Sequence, residues 1–462
     1  MIRPPTEVPV GGRVLAWSLL LATLVAALLL LAVRPAHAAT TFTVDSTGNE
    51  FDANLGNGKC DVDRSIFVKR CTLRAAIEEA NATPNSGGPD LIRFAIPGDG
   101  PHTIAPTTHS RLPTIKQPVI IDGYTQGSNT ATTTDDAKPN AAPTSTNAVL
   151  KIVLTGANLP PGSTAGVNGL EVTSGAGTTI RGLVINGFRE ATDGSGHGGH
   201  GILAFGPNNV ISGNFIGTNA LGTTRVPNQG MGVLASGAST IGGTARADRN
   251  LISGNGDGVE ISGNGGKVHN NLIGTDKTGT GNLGNAGNGV VSPGPNIAIG
   301  GSGVANIIAF NGRDGVLVDD PARDASRILD NSIFSNGEEG IDLGGDGPTS
   351  NDLKDLDAGP NDLQNKPNIT SAATTGGVTT IRGNLNSTPS KTFTIQFFSN
   401  PGTDEGKTFK GQKSVTTDSD GNALFVFTPA TPAPTAHTIT ATATDSNGST
   451  SEFSAPRTVV AQ

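Results

Sequence analysis

Gly232-Val233-Leu234, Gly258-Val259-Glu260, Gly289-Val290-Val291 and Gly315-Val316-Leu317 belong to one series that runs from residue 201 to residue 343. Its marked positions, Ile202, Val233, Val259, Val290, Val316 and Ile341, are separated by 31, 26, 31, 26 and 25 residues, and Leu170 stands 32 residues ahead of the first. The same stretch carries Asn-x-Ile at Asn214, Asn250, Asn271, Asn306 and Asn331; Asn-Gly follows five residues later at Asn255, Asn311 and Asn336. Phe215-Ile-Gly-Thr-Asn219 returns as Leu272-Ile-Gly-Thr-Asp276, and Ile241-Gly-Gly243 as Ile299-Gly-Gly301. Apolar residues alternate within each unit, as in Val259-Glu-Ile261 and Ile341-Asp-Leu343, which is strand periodicity with one face inward. No such strand can bury its apolar face alone. A repeat of this length built from strand-sized pieces and Gly/Asn corners predicts a solenoid whose stacked rungs share a core. We expect an all-β protein centred on a parallel β-helix, right-handed because strand crossovers nearly always take that hand. The asparagines read as structural, able to form amide ladders from rung to rung.

Working outward, residues 1–38 read as an export signal. Arg3 and Arg13 precede an apolar run from Val14 to Val33, and Ala36-His37-Ala38 offers a small-x-small cleavage site. The run is 20 residues long, so the alternative is an uncleaved membrane anchor, the one route by which a membrane becomes a partner. Either reading places the remainder outside the cytoplasm. The formal net charge of −8 becomes −10 without that segment, which disfavours the phosphate backbone of nucleic acid as a partner. Beyond the segment there is no Trp and one Tyr, Tyr124, so a carbohydrate platform built on aromatic stacking is disfavoured as well.

Cys60 and Cys71 are the only cysteines, and an even pair in an exported chain predicts a disulfide. Thr72 is placed to cap a short helix on which Leu73, Ala76, Ile77 and Ala80 share a face, suited to covering the open end of the first rung. Cys71-Thr-Leu-Arg-Ala-Ala-Ile-Glu-Glu-Ala-Asn81 resembles the C-S-L-R-E-A-I-x-x-A-N signature of a family of secreted bacterial right-handed β-helix proteins, with Thr72 for the usual Ser and Ala75 for the usual Glu. Asp90-Leu-Ile-Arg-Phe94, Ala95-Ile-Pro97 and Ile121-Asp-Gly-Tyr124 resemble the segments that follow it, and the similarity extends over roughly residues 40 to 367. The resemblance implies fold and export and names no catalytic residue.

The domain plan is an export signal (1–38), a cap region with first coils (39–165), β-helix repeats (166–345), an Asp-rich junction (346–367) and an immunoglobulin-like β-sandwich (368–462). The last is read from strands such as Phe393–Phe397 and Leu424–Phe427 at short spacing, with turns at Asp420-Gly421 and Asn447-Gly448. Residues 127–147 lack periodicity and read as a surface loop.

Three features bear on function. Gly196-His-Gly198 and Asp319-Asp320 are similar to two elements of polygalacturonases, but their order is reversed and the partner motifs N-T-D and R-I-K are missing. His197 and His200 accordingly read as exposed turn residues. The outward column of the repeated strand reads Glu171, Leu203, Leu234, Glu260, Val291, Leu317 and Asp342, followed two residues on by a column that includes Phe205 and Asp319. Asp319 and Asp342 are the only carboxylate pair suited to a polysaccharide hydrolase, or with Arg323 to a lyase. The aliphatic middle of the column predicts that something packs there, a rung loop or the C-terminal domain. Asp342, Asp346, Asp352, Asp355 and Asp357 form an oxygen-rich segment suited to calcium. From these residues we expect a monomeric, secreted or cell-surface protein that binds polysaccharide or cell-envelope material without catalysis; the alternative is a lyase or glycoside hydrolase on the β-helix flank.

Overall fold

The computed structural model describes residues 1, 39–63, 70–85, 87–107, 111–127, 136–160, 166–174, 177–191, 198–319, 325–402 and 405–462. Residues 2–38, read as an export signal, and His197, Asp320 and Arg323 lie outside the described residues. Among those described, no helix is long and apolar enough to cross a membrane.

Three parallel sheets run the length of the solenoid. The first has nine strands from Thr41–Val44 to Ser326–Leu329, the second eight from His102–Ile104 to Ser332–Phe334, and the third seven from Leu170–Val172 to Ile341–Leu343. Each of the last seven rungs contributes one strand to each sheet, as in Val210–Ser212, Phe215–Ile216 and Val233–Ser236. The series legible in the sequence forms one unbroken register: Leu170 pairs with Ile202, then Val233, Val259, Val290, Val316 and Ile341. A second column, Ile185, Ile216, Ile252, Ile273, Ile308 and Ile333, faces the same interior from the second sheet. Identical aliphatic shapes stack on themselves along the axis, so the interior fills without large rings.

Both asparagine columns are buried amide ladders. Asn250 Nδ2 donates to Asn271 Oδ1 at 2.9 Å, Asn271 to Asn306 at 3.1 Å and Asn306 to Asn331 at 2.9 Å. The second ladder links Asn228, Asn255, Asn285, Asn311 and Asn336 with steps of 2.9 to 3.0 Å. Asn228 and Asn285 escape the five-residue rule because the rungs that hold them carry inserts, residues 217–227 and 275–284, after the second-sheet strand. The intervening rungs place their extra residues between the first and second sheets instead, around Arg246–Asp248 and Gly301–Val304. This produces the alternation of 31 and 26 residues. At Gly274, φ is +81° and a Cβ would run into the carbonyl of Ala309 on the next rung, so only glycine fits that corner.

Helix α1, Leu73–Ala82, closes the N-terminal end. Thr72 Oγ1 accepts from Ala75 N at 3.1 Å, and Leu73, Ala76, Ile77 and Ala80 join the first-rung core of Phe42, Val44 and Ile92. Arg74 and Glu79, on the rest of the helix, are buried too. Arg74 donates to Asn49 Oδ1 and to the carbonyl of Arg111 and lies 4.6 Å from the Phe51 ring. Glu79 accepts the amides of Gly56 and Gly58, and Asn81 bonds Thr114 O and Lys116 N. Arg74 and Glu79 therefore hold down the 49–61 loop, which the Cys60–Cys71 disulfide also ties.

Residues 368–462 form a β-sandwich of two four-stranded sheets, with Phe397 stacked on Phe427 at 4.4 Å and edge-on to Phe425 at 5.5 Å. It closes the C-terminal end of the solenoid. Ile333 pairs with Gly406, Ile328 N donates to Thr450 Oγ1 at 3.0 Å, Gln396 bonds Asp330, and Phe453 packs against the solenoid core. An exposed edge strand is a template for aggregation, and both ends are covered.

Candidate functional site

The third sheet presents the predicted outward column. Pairing aligns Glu171, Leu203, Leu234, Glu260, Val291, Leu317 and Asp342. Glu171, Leu203, Leu234, Glu260 and Val291 are half-exposed, and Phe205 beside them is 39 % exposed. The expectation that a rung loop or the sandwich covers this stripe is not met along its middle by the described residues: the sandwich sits on the end of the solenoid, and among the described residues only the Gly344–Gly347 turn folds over Leu317.

The covered stripe lies on the second sheet. There Val184, Phe215, Leu251 and Leu272 point outward yet are at most 1 % exposed. Ala148 and Leu150, just beyond the predicted surface loop, with Ala220 of the first insert, pack on them. Residues 140–146 of that loop are anchored by the buried Arg249. Its guanidinium donates to the carbonyls of Ala142, Pro143 and Ser145, and Thr146 N donates to Lys277 O at 2.8 Å. A long polar segment is thus part of the fold, because it carries the roof of a sheet face too apolar to leave in water.

The proposed carboxylate pair is not presented as a pair. Asp319 is exposed, whereas Asp342 is 3 % exposed and accepts from Gly345 N at 3.0 Å and Gly347 N at 3.1 Å. Burial raises the Asp342 pKa, with Glu452 and Asp346 adding to it against those two hydrogen bonds. To meet a substrate beside Asp319, Asp342 would have to open its own turn. His200, expected in solvent, is half-buried; its Nδ1 accepts from Met231 N at 3.0 Å, and burial lowers its pKa. It belongs to a corner column with Asn168, Asp257, Asn288 and Asp314, whose side chains accept an amide one rung away. Asp314 is fully buried, bonds Glu339 N through Oδ1 and leaves Oδ2 without a partner. Burial, with smaller contributions from Asp342 and Glu338, pushes it up to about 6.

Of the five candidate metal ligands, the fold brings together three. Asp352, Asp355 and Asp357 each offer a carboxylate oxygen within 4.8 Å of the others. The loop is shaped by its own bonds: Asp352 accepts from Leu356 N, while Asp355 accepts from Asn365 N at 2.8 Å and from Ser387 Oγ of the sandwich at 2.7 Å. Lys354 and Asp355 adopt positive φ to close it. Asp357 Oδ1 is buried without a hydrogen-bond partner. Burial, then repulsion from Asp357 and Asp352, pushes Asp355 up to about 6. Hard oxygen donors, mutual repulsion and an unsatisfied oxygen fit a calcium ion. Asp342 and Asp346 are not members of this group.

No protein-family model matches the chain, and comparison with the curated proteins finds no match for it.

Proposed function

We propose that this protein is a secreted, non-catalytic rod that binds polysaccharide or other cell-envelope material along the third-sheet flank. One observation carries the reading: this sheet leaves Phe205 exposed and Leu203, Leu234 and Val291 half-exposed, whereas the equivalent stripe on the second sheet is roofed. Exposed apolar surface of this extent marks a place where something docks. The Cys60–Cys71 disulfide is compatible with an extracellular setting.

Two finer assignments belong to the same reading. The sandwich is immunoglobulin-like, supported by its strand order: the fifth, second, first and eighth strands form one sheet and the fourth, third, sixth and seventh the other. Asp352, Asp355 and Asp357 hold calcium, which would stiffen the link between the solenoid and the sandwich, since Asp355 also accepts from Ser387.

Retention of the full chain on a panel of insoluble neutral, acidic and amino polysaccharides, with product release monitored in parallel, tests the function. Retention without turnover, abolished by Leu234→Asp, is expected. Turnover lost in Asp319→Asn would establish the enzyme reading instead.

A further inference from the structure

The flank has a charge character that narrows its ligand. Its seven strands, from Leu170–Val172 to Ile341–Leu343, contain no Lys or Arg. The carboxylates that share the surface are Glu171, Glu260 and Asp319. Glu171 and Glu260 occupy the same column three rungs apart, about 14 Å at the usual strand spacing, with Leu203 and Leu234 between them. Among the described residues, basic groups border the face at its margins. Lys116 follows Ile115, which bridges to Val172 at the N-terminal end, and Arg313 pairs with Glu338 at 3.2 Å on the corner. Among the described residues Glu260 has no cationic partner. It is half-buried, and its pKa is raised first by burial and then by Asp257 and Asp319. A ligand that placed positive charge here would relieve that repulsion, and one bearing carboxylates would add to it.

We propose that the flank takes an amino-sugar polysaccharide with free, protonated amines, lying along the solenoid axis. This rests on the reading of the flank as a binding surface. The aliphatic residues between the carboxylates meet the apolar faces of the sugar rings, while Glu171 and Glu260 receive amines. An extended sugar residue is about as long as one rung, so amines recur along the polymer in step with the column. With Phe205 the only exposed aromatic ring beside the column among the described residues, charge takes a larger share of recognition than stacking does.

The test measures equilibrium binding of the full chain at pH 6 to partly deacetylated chitosan, to its fully N-acetylated counterpart, to polygalacturonate and to polylysine. Preferential binding of the free-amine polymer is expected, weakened about tenfold in Glu171→Gln/Glu260→Gln and further by 0.5 M salt. The double variant should melt like the parent, because neither carboxylate has a structural partner among the described residues. Equal or better binding of the N-acetylated or acidic polymer, binding of polylysine alone, or indifference to the two Gln substitutions overturns the assignment. In those cases the broader flank reading survives if Leu234→Asp still abolishes retention. Failure to bind any polysaccharide sinks both.

Discussion

The solenoid and the sandwich solve the same problem, an all-β core, with opposite chemistry. In the solenoid the strands are two to five residues long and the interior is Ile and Val stacked rung on rung, with buried asparagines joined along the corners. In the sandwich most strands run six to nine residues and the core is built on Phe393, Phe397 and Phe425. Parallel stacking in register places like beside like about 4.8 Å apart, so small branched side chains and self-complementary amides are favoured. Two sheets facing each other across about 10 Å need long, flat side chains to fill the space. Core composition therefore follows from which direction the neighbours lie.

Four perturbations break or sharpen this contrast. Phe397→Ala should have the largest effect, lowering sandwich stability by about 4 kcal/mol. Hydrogen exchange should show the loss in residues 368–462 and the last rung, with the rungs around Val233 unchanged; a uniform loss would make the two regions one cooperative unit. Next, Asn285→Ala strands donors on Asn255 and the carbonyl of Ile252 and should cost about 3 kcal/mol in chemical denaturation, while Asn384→Ala on the sandwich surface should cost under about 0.5 kcal/mol. Equal costs would remove the ladder from the account.

The third concerns pH. Asp314 has its folded pKa raised to about 6, so its proton-bound form favours the fold, and that contribution is lost as pH rises from about 4 through about 6. Asp314→Asn should therefore be more stable than the parent by about 2 kcal/mol at pH 8 and no more stable at pH 4. It copies what Asn168 and Asn288 already do in the same column. A parent with a flat stability profile between pH 4 and 8 would refute the buried-acid interpretation. Smallest is calcium: a few millimolar should stabilise the protein by about 1 kcal/mol in thermal melts, and Asp357→Asn should abolish the gain. An identical gain in Asp357→Asn would place the ion elsewhere.

How legible was this chain? The register of the third sheet could be read outright, because one spacing rule governed every rung. Asn228 and Asn285 were hidden by inserts that changed the spacing without changing the place in space. The burial of Arg74 and Glu79 on α1 was not legible, because helical periodicity distinguishes apolar from polar residues, not covered from uncovered, and a separate loop covers both. The candidate site was legible by type and less so by membership. Asp352, Asp355 and Asp357 converge while Asp342 closes its own turn, although all belong to one acidic stretch.

The amino-acid order alone determined the solenoid, its rung register and its disulfide partners, since stacking in one dimension turns periodicity along the chain directly into neighbours in space. Tertiary structure decided which outward face stays open and which carboxylates meet. Those outcomes depend on segments far apart in the chain, residues 140–146 reaching Arg249 and Ser387 reaching Asp355, and no local pattern encodes where such a crossing lands.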